Sequence, residues 1–208
     1  MKNCCILLVL LLVSIPAHAD QILELKYEGF TVWLNCERKG AERFLYFAKA
    51  DAGGFERESQ FRLDPQVDRR CQQNNSSTYK QPGKKFDRGH LVTANHMDFS
   101  KNAIYQSNYM TNILPQTATS NRVAWLRTEE IVECYRDQEN LLVTGGVIWG
   151  EDTSNDYFVV SHGVITPDWF WKVIIGKGRV IAWIIPNDIQ ATKENLDRYL
   201  VSVSEIER

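Results

Sequence analysis

The sequence predicts an α+β domain, a sheet core with flanking helices. Three observations carry this. Short β-branched and aromatic runs recur between turn signals, from Gln21 to Leu34 and again from Leu141 to Ile185. One stretch, Asn121 to Gln138, contains neither Pro nor Gly and is rich in helix formers. A third, Thr192 to Glu205, sets Leu196, Tyr199, Leu200 and Val203 on one side of a terminal amphipathic helix.

The chain opens Met1-Lys2-Asn3, runs apolar from Cys4 to Pro16 and reaches Ala17-His18-Ala19. A short positive start, a leucine-rich run and an Ala-x-Ala site make residues 1–19 a signal peptide, with cleavage after Ala19. The run is shorter than the roughly 20 residues of a comfortable membrane span. Residues 20–208 are then one exported domain, secreted or periplasmic, with no membrane partner after cleavage. Their length suits a single domain with a sizeable core.

Strands are expected at Gln21–Lys26, Phe30–Leu34 and Arg43–Ala48, where apolar residues alternate. Residues 51–78 are polar and rich in turn formers, which predicts a long loop with brief structure. Leu91–Ala94 suits a short strand. Asn121–Gln138 is a helix capped by Thr119 or Ser120. Leu141–Val147 is a buried strand ending in a Gly145-Gly146 turn. Tyr157–Ser161, Phe170–Ile175 and Val180–Ile185 read as core strands of one sheet.

Beyond the leader three cysteines remain, Cys36, Cys71 and Cys134. In an exported chain an odd count implies one disulfide and a spare thiol. Cys36 and Cys71 lie in polar surroundings and are the expected pair. Cys134 sits beside Val132 and Tyr135 on the expected helix, where a buried thiol is expected. The remaining histidines are far apart and no CxxC occurs, which argues against structural zinc.

The formal net charge is −2, so the domain is not a uniformly basic nucleic-acid glove. Charge is local instead. Lys80, Lys84, Lys85 and Arg88 precede His90, with Arg69 and Arg70 upstream, enough to grip a few phosphates if the cluster is more than a solvated charge run. His90 is the candidate general base, because an ordinary imidazole is largely neutral at pH 7. Arg88 offers a planar fork to phosphate oxygens. Gly89 lets the backbone turn tightly. Asp87 is expected to orient Arg88 or to stabilise the turn. On a regular helix Asn121 and Glu129 occupy neighbouring faces roughly 12 Å apart along the axis, too far to bind one ion directly. Few protein ligands and many waters suit Mg²⁺.

These residues resemble the DNA/RNA non-specific endonuclease family of ββα-metal (His-Me finger) nucleases. The likeness runs through Tyr79–His90 (YKQPGKKFDRGH), Tyr109–Gln116 (YMTNILPQ), Asn121 with Trp125 and Glu129, Val143–Gly146, Pro167–Val173 and Ala182–Asn187. It implies a mainly antiparallel sheet with a ββα-metal finger active site. It also implies an exported, sugar-nonspecific endonuclease that cuts DNA and RNA by water attack on phosphorus and leaves 5′-phosphates. In that resemblance His90 is the base, Asn121 the ligand of Mg²⁺ (Mn²⁺ as substitute), Glu129 an outer-shell carboxylate and Arg88 the phosphate clamp. Asn112 would orient the site or touch phosphate. A DNA-preferring nuclease and an inactive nucleic-acid binder are the alternatives. The chain departs from the family pattern at Thr93, where many members have Pro, which should relax a turn. It departs again at Glu133, where some carry an Arg, which puts nucleic-acid contacts there in doubt. His96 has no family role and is expected to be a spectator.

Overall fold

The computed structural model describes residues 21–207; the expected signal peptide, residues 1–19, lies outside them. Nine strands and four α-helices are described. The strands are β1 (Ile22–Tyr27), β2 (Phe30–Asn35), β3 (Gly40–Ala48), β4 (Lys80–Gln81), β5 (Lys84–His90), β6 (Ile113–Thr117), β7 (Leu141–Ile148), β8 (Trp169–Gly176) and β9 (Arg179–Pro186). The helices are α1 (Lys101–Ser107), α2 (Leu126–Arg136), α3 (Val159–His162) and α4 (Val203–Ile206). Six strands form one antiparallel sheet in the order β1-β2-β3-β7-β8-β9. A second, smaller sheet runs β4-β5-β6.

Alternation decides which face of the large sheet is buried. Phe30, Val32 and Leu34 of β2, Phe44 and Tyr46 of β3, Val143 of β7, and Phe170 and Ile174 of β8 all point inward. Trp125, just ahead of α2, packs its ring against Phe44 and Phe170 of that face. The β5–β6 pair and the helix that follows form a ββα unit laid on the large sheet through one continuous core. That unit brings His90, at the end of β5, beside Ile113, at the start of β6.

Several expected elements take another form. Leu91–Ala94 is not a strand: the strand is β5 itself, and the chain turns into a 3-10 segment at Ala94–His96. Gly145 and Gly146 do not end β7 but lie within it, because an added Cβ at either would meet backbone of β8 or β3 at 2.5 Å or less. Tyr157–Ser161 is a turn leading into α3, a run too short for periodicity to separate strand from helix. Thr192–Glu205 is no single helix; a 3-10 turn at Leu196–Tyr199 gives way to an extended bridge from Leu200 to Trp183, then to α4. Residues 51–78 are a loop with little regular structure, as expected.

Cys36 and Cys71 form the expected disulfide. Their surroundings are not polar: both are buried, in a small cluster with Leu34 and Val67. Cys134 is free but exposed, contrary to the buried thiol expected, because Val132 and Arg136 take the inward face of α2. Two outcomes follow. A thiol reagent should titrate one cysteine in the folded protein when it is produced from Asp20 onward. Replacing Cys36 and Cys71 by Ser should lower the unfolding free energy by about 2–4 kcal/mol in a denaturant titration.

Candidate active site

His90 is 6% exposed and fixed on every side. Its Nε2 lies 2.8 Å from Asn108 Oδ1, and Asn108 Nδ2 donates to Glu58 O at 2.9 Å. A carbonyl oxygen only accepts, so Nε2 carries the proton and Nδ1 keeps its lone pair. The His90 ring packs on Phe61, and the Arg88 guanidinium lies 3.9 Å from the centre of the same ring. The His90 carbonyl accepts from Trp125 Nε1 at 3.0 Å, which ties the end of β5 to the helix. Burial, with Arg57 and Arg88 nearby, pushes the His90 imidazole down to about 4 despite the Asn108 hydrogen bond. At neutral pH it is an uncharged proton acceptor.

Asp87 does not orient Arg88. Its carboxylate accepts from Asn121 Nδ2 at 3.0 Å and takes Arg122 in a two-pronged pair, Nε at 2.7 Å and NH2 at 2.6 Å. Burial works to raise its carboxyl, but Arg122 and Asn121 outweigh that and hold it below the ordinary carboxylate range. Arg88 instead donates NH1 to Ser76 O at 2.9 Å and is half-buried, so only part of its fork is engaged. Gly89 is not at a tight turn either. It lies in extended β5 opposite Leu114, and a Cβ there would sit 2.4 Å from Gln116 Oε1. Close approach of Gln116, rather than a turn, is what requires glycine.

The helix carrying Asn121 and Glu129 departs from the regular geometry expected. Residues Ser120–Trp125 form a π turn, in which the Leu126 N–H reaches back to Asn121 O. Neither Thr119 nor Ser120 caps this helix; Thr117 Oγ1 accepts from the Ser120 N–H instead. A π turn winds in one extra residue, so Asn121 to Glu129 spans about 700° of rotation instead of about 800°. That moves the two side chains from neighbouring faces onto nearly the same face. The Glu129 carboxyl is raised by burial, against the opposing pull of Lys172, His96, a hydrogen bond from Thr93, and Arg57. The Thr93 hydroxyl therefore does what a proline could not, beyond relaxing a turn.

Asn112 is fully buried and spends its amide on backbone. Nδ2 donates to Val92 O and Ser107 O, and Oδ1 accepts from Val92 N. It orients the chain leaving His90. His96 is no loose spectator: it is buried, shares a 2.7 Å hydrogen bond with Tyr46 and faces Glu133 at 3.6 Å. Four residues of the site were not singled out from the sequence. Asn108 and Phe61 reach His90 only through the fold, Arg57 sits in the polar loop, and Lys172 occupies an inward strand position where an apolar residue is expected.

Few side chains here could ligate a metal. Among the described residues no group of three His, Cys, Asp or Glu could hold one. What remains is Asn121 Oδ1, made available because Asp87 holds the nitrogen of the same amide, with Glu129 nearly in line on the helix. One amide oxygen with water and phosphate completing the shell fits a hard, slowly dehydrating cation. The cationic patch is partly real. Lys80, Lys84, Lys85 and Arg122 line a cleft of about 470 Å³ alongside Asp87, whereas Arg69 is turned to Asn74 O and Arg70 is paired with Asp68. A larger cleft, about 830 Å³, lies between the start of β5 and Trp169 and contains neither His90 nor Asn121.

Comparison with known proteins follows the same pattern. A family model described as DNA/RNA non-specific endonuclease matches residues 12–208. Human mitochondrial endonuclease G is 30% identical over 168 residues, 74% of this chain and 56% of its own length. Nuclease C1 of Cunninghamella echinulata var. echinulata is 27% identical over 163 residues, 72% of this chain and 64% of its own length. The chain spans about half the length of the first curated relatives it matches. In the crystal structure of the EndoG/EndoGI complex, a chain 19% identical superposes with a TM-score of 0.74, covering 89% of this chain and 82% of that one. That likeness is one of fold.

The depressed His90 value has a consequence for stability. The unfolded imidazole takes a proton near pH 6.5, while the folded one resists it until about 4. The unfolded state therefore binds more protons in that window, and stability present above pH 6.5 is lost as the pH falls through it. Urea titrations from pH 7 to pH 4 should show this loss, and His90→Gln should lessen it.

Proposed function

Because the chain belongs to the DNA/RNA non-specific endonuclease family, we propose that it is a metal-dependent endonuclease that hydrolyses phosphodiester bonds of both DNA and RNA. The observation that carries this is the state of His90: neutral, held through Nε2 by Asn108, with Nδ1 left to accept a proton.

In this reading His90 Nδ1 takes the proton of an attacking water as its oxygen bonds to phosphorus. The bond from phosphorus to the 3′-oxygen breaks, and the product keeps a 5′-phosphate. Arg88, steadied on Phe61, meets the non-bridging phosphate oxygens with its free N–H groups. Asn121 Oδ1 would hold Mg²⁺, or Mn²⁺ in its place, which when bound supplies Lewis-acid stabilisation of the charge at phosphorus and on the leaving oxygen. Glu129 accepts hydrogen bonds from water in the site. Arg57 adds positive charge over the same space. Lys80, Lys84, Lys85 and Arg122 follow the strand backbone without reading bases, which suits a substrate chosen by its phosphates.

We further propose that the enzyme is exported, secreted or periplasmic. Residues 1–19 support this, as does the Cys36–Cys71 bond, since disulfides persist in oxidising compartments. The mass of the protein recovered from outside the cytoplasm should correspond to a chain starting at Asp20.

The test is cleavage of plasmid DNA and of RNA by the purified protein, with Mg²⁺ and with EDTA. Both substrates should be degraded with Mg²⁺ and spared with EDTA. His90→Ala should lose at least about 100-fold in rate, the lower range for a positioned base, and activity should fall steeply with added salt. Because His90 titrates near 4, kcat/KM should hold its neutral-pH value to below about pH 6. Cleavage of DNA alone would narrow the substrate class. Binding without cleavage, unchanged in His90→Ala, would overturn the proposal.

A further inference from the structure

Lys172 is out of place for its strand. Along β8 the inward positions are Phe170, Lys172 and Ile174, so an ammonium stands where alternation calls for an apolar side chain. It is 1% exposed. A buried charge is costly unless opposite charge and hydrogen bonds offset the loss of water. What surrounds Lys172 comes from the helix that carries the site. Its Nζ donates to Thr128 Oγ1 at 2.7 Å and stands 3.7 Å from the centre of the Trp125 ring. Thr128 Oγ1 donates in turn to Trp125 O at 2.7 Å, and Trp125 Nε1 donates to the carbonyl of His90. Glu129 follows Thr128 directly in the chain, and its negative charge favours the charged form of Lys172 against the effect of burial.

We propose that Lys172 is a positioning residue for phosphodiester hydrolysis: from beneath the helix it holds Glu129 as an aligned carboxylate and pins Trp125 under His90. The inference rests on the nuclease reading of this site. Physically, Glu129 is pulled toward its neutral form by burial. Its charged form is favoured by the positive charge of Lys172 on β8, by His96 when protonated, by a hydrogen bond from Thr93 and by Arg57 in the loop. Arg57 is exposed and screened by solvent, whereas Lys172 acts from inside the core, where burial pushes its ammonium down to about 8. Lys172 touches neither substrate nor water in the site. Its effect reaches the chemistry through Glu129 and Trp125, so it should alter turnover more than substrate binding.

A double-mutant cycle separates this role from simple packing. Lys172→Met keeps the length of the side chain and removes the charge. In the otherwise unaltered enzyme it should lower kcat by roughly 10- to 100-fold, the range for a residue that supports a reacting group from behind, while KM stays within about twofold. In a Glu129→Gln background the same change should cost less than about threefold, because there is no carboxylate left to hold. Calorimetric titration with Mn²⁺, needing no turnover, should show weaker binding in Lys172→Met than in the wild type. If Lys172→Met does not fold, by thermal melting, Thr128→Val removes the acceptor of the ammonium together with the hydrogen bond to Trp125 O, and is carried through the same cycle with the same expected non-additivity. An equal loss in both backgrounds, or a kcat within twofold of wild type, would overturn the assignment. A wild-type protein that leaves both nucleic acids intact would overturn the nuclease reading and this role with it. One that cuts normally while Lys172→Met cuts equally well would overturn this role alone.

Discussion

The carboxylate of Asp87 is the joint on which the site depends. It projects from β5 three residues before His90 and engages two consecutive residues of the helix, Asn121 and Arg122. Strand and helix could otherwise slide past one another by a side chain's length, and a displacement of about 1 Å is enough to cost a large factor in rate. The same bond solves a second problem. An amide presents both an oxygen and a nitrogen, and only the oxygen can bind a cation. By taking the nitrogen, Asp87 leaves Asn121 Oδ1 as the end that faces outward. Arg122, exposed beyond it, balances the negative charge and joins the cationic cleft with Lys80, Lys84 and Lys85.

Around that joint the charges are arranged by burial. His90 is driven neutral by the loss of water and by Arg57 and Arg88. Glu129 is pulled the other way, with burial favouring its proton and Lys172, His96, Thr93 and Arg57 opposing. One imidazole and one carboxylate thus differ in environment although both sit on the same ββα unit, the usual way in which a fold sets its titratable groups apart. Rigidity comes from aromatic contacts: Phe61 lies between the His90 and Arg88 side chains, and Trp125 lies between the large sheet and the end of β5.

Much of this was legible in the sequence, for identifiable reasons. His90, Arg88, Asn121 and Glu129 stand in local patterns whose residue types already imply phosphate chemistry, strand β2 announces itself by alternation, and β8 by an aromatic and β-branched run. Counting implied one disulfide and a spare thiol, and the Cys36–Cys71 pair is found, although not in the polar surroundings from which it was expected. What was not legible depends on distance along the chain or on competing hydrogen bonds. Asn108 and Phe61 meet His90 across loops that carry no periodic signal. The π turn at Ser120–Trp125 is a choice between two hydrogen-bond partners for one N–H, and it changes the phase of Glu129 without any mark in composition. Asp87 was read as a partner of its neighbour Arg88 because adjacency is visible in sequence, whereas the approach of Arg122 is not. Gly89 was read as a turn because the flat packing of Gln116 against it exists only after β6 has paired with β5.

The most direct measurement is the Mg²⁺ concentration that gives half-maximal cleavage, compared between the unaltered protein and Asp87→Ala, with folding checked by circular dichroism. If Asp87 presents the Asn121 oxygen to the metal, the midpoint should rise by roughly 10- to 100-fold while the fold is retained. An unchanged midpoint in a folded Asp87→Ala protein would contradict the dependence of the site on this joint.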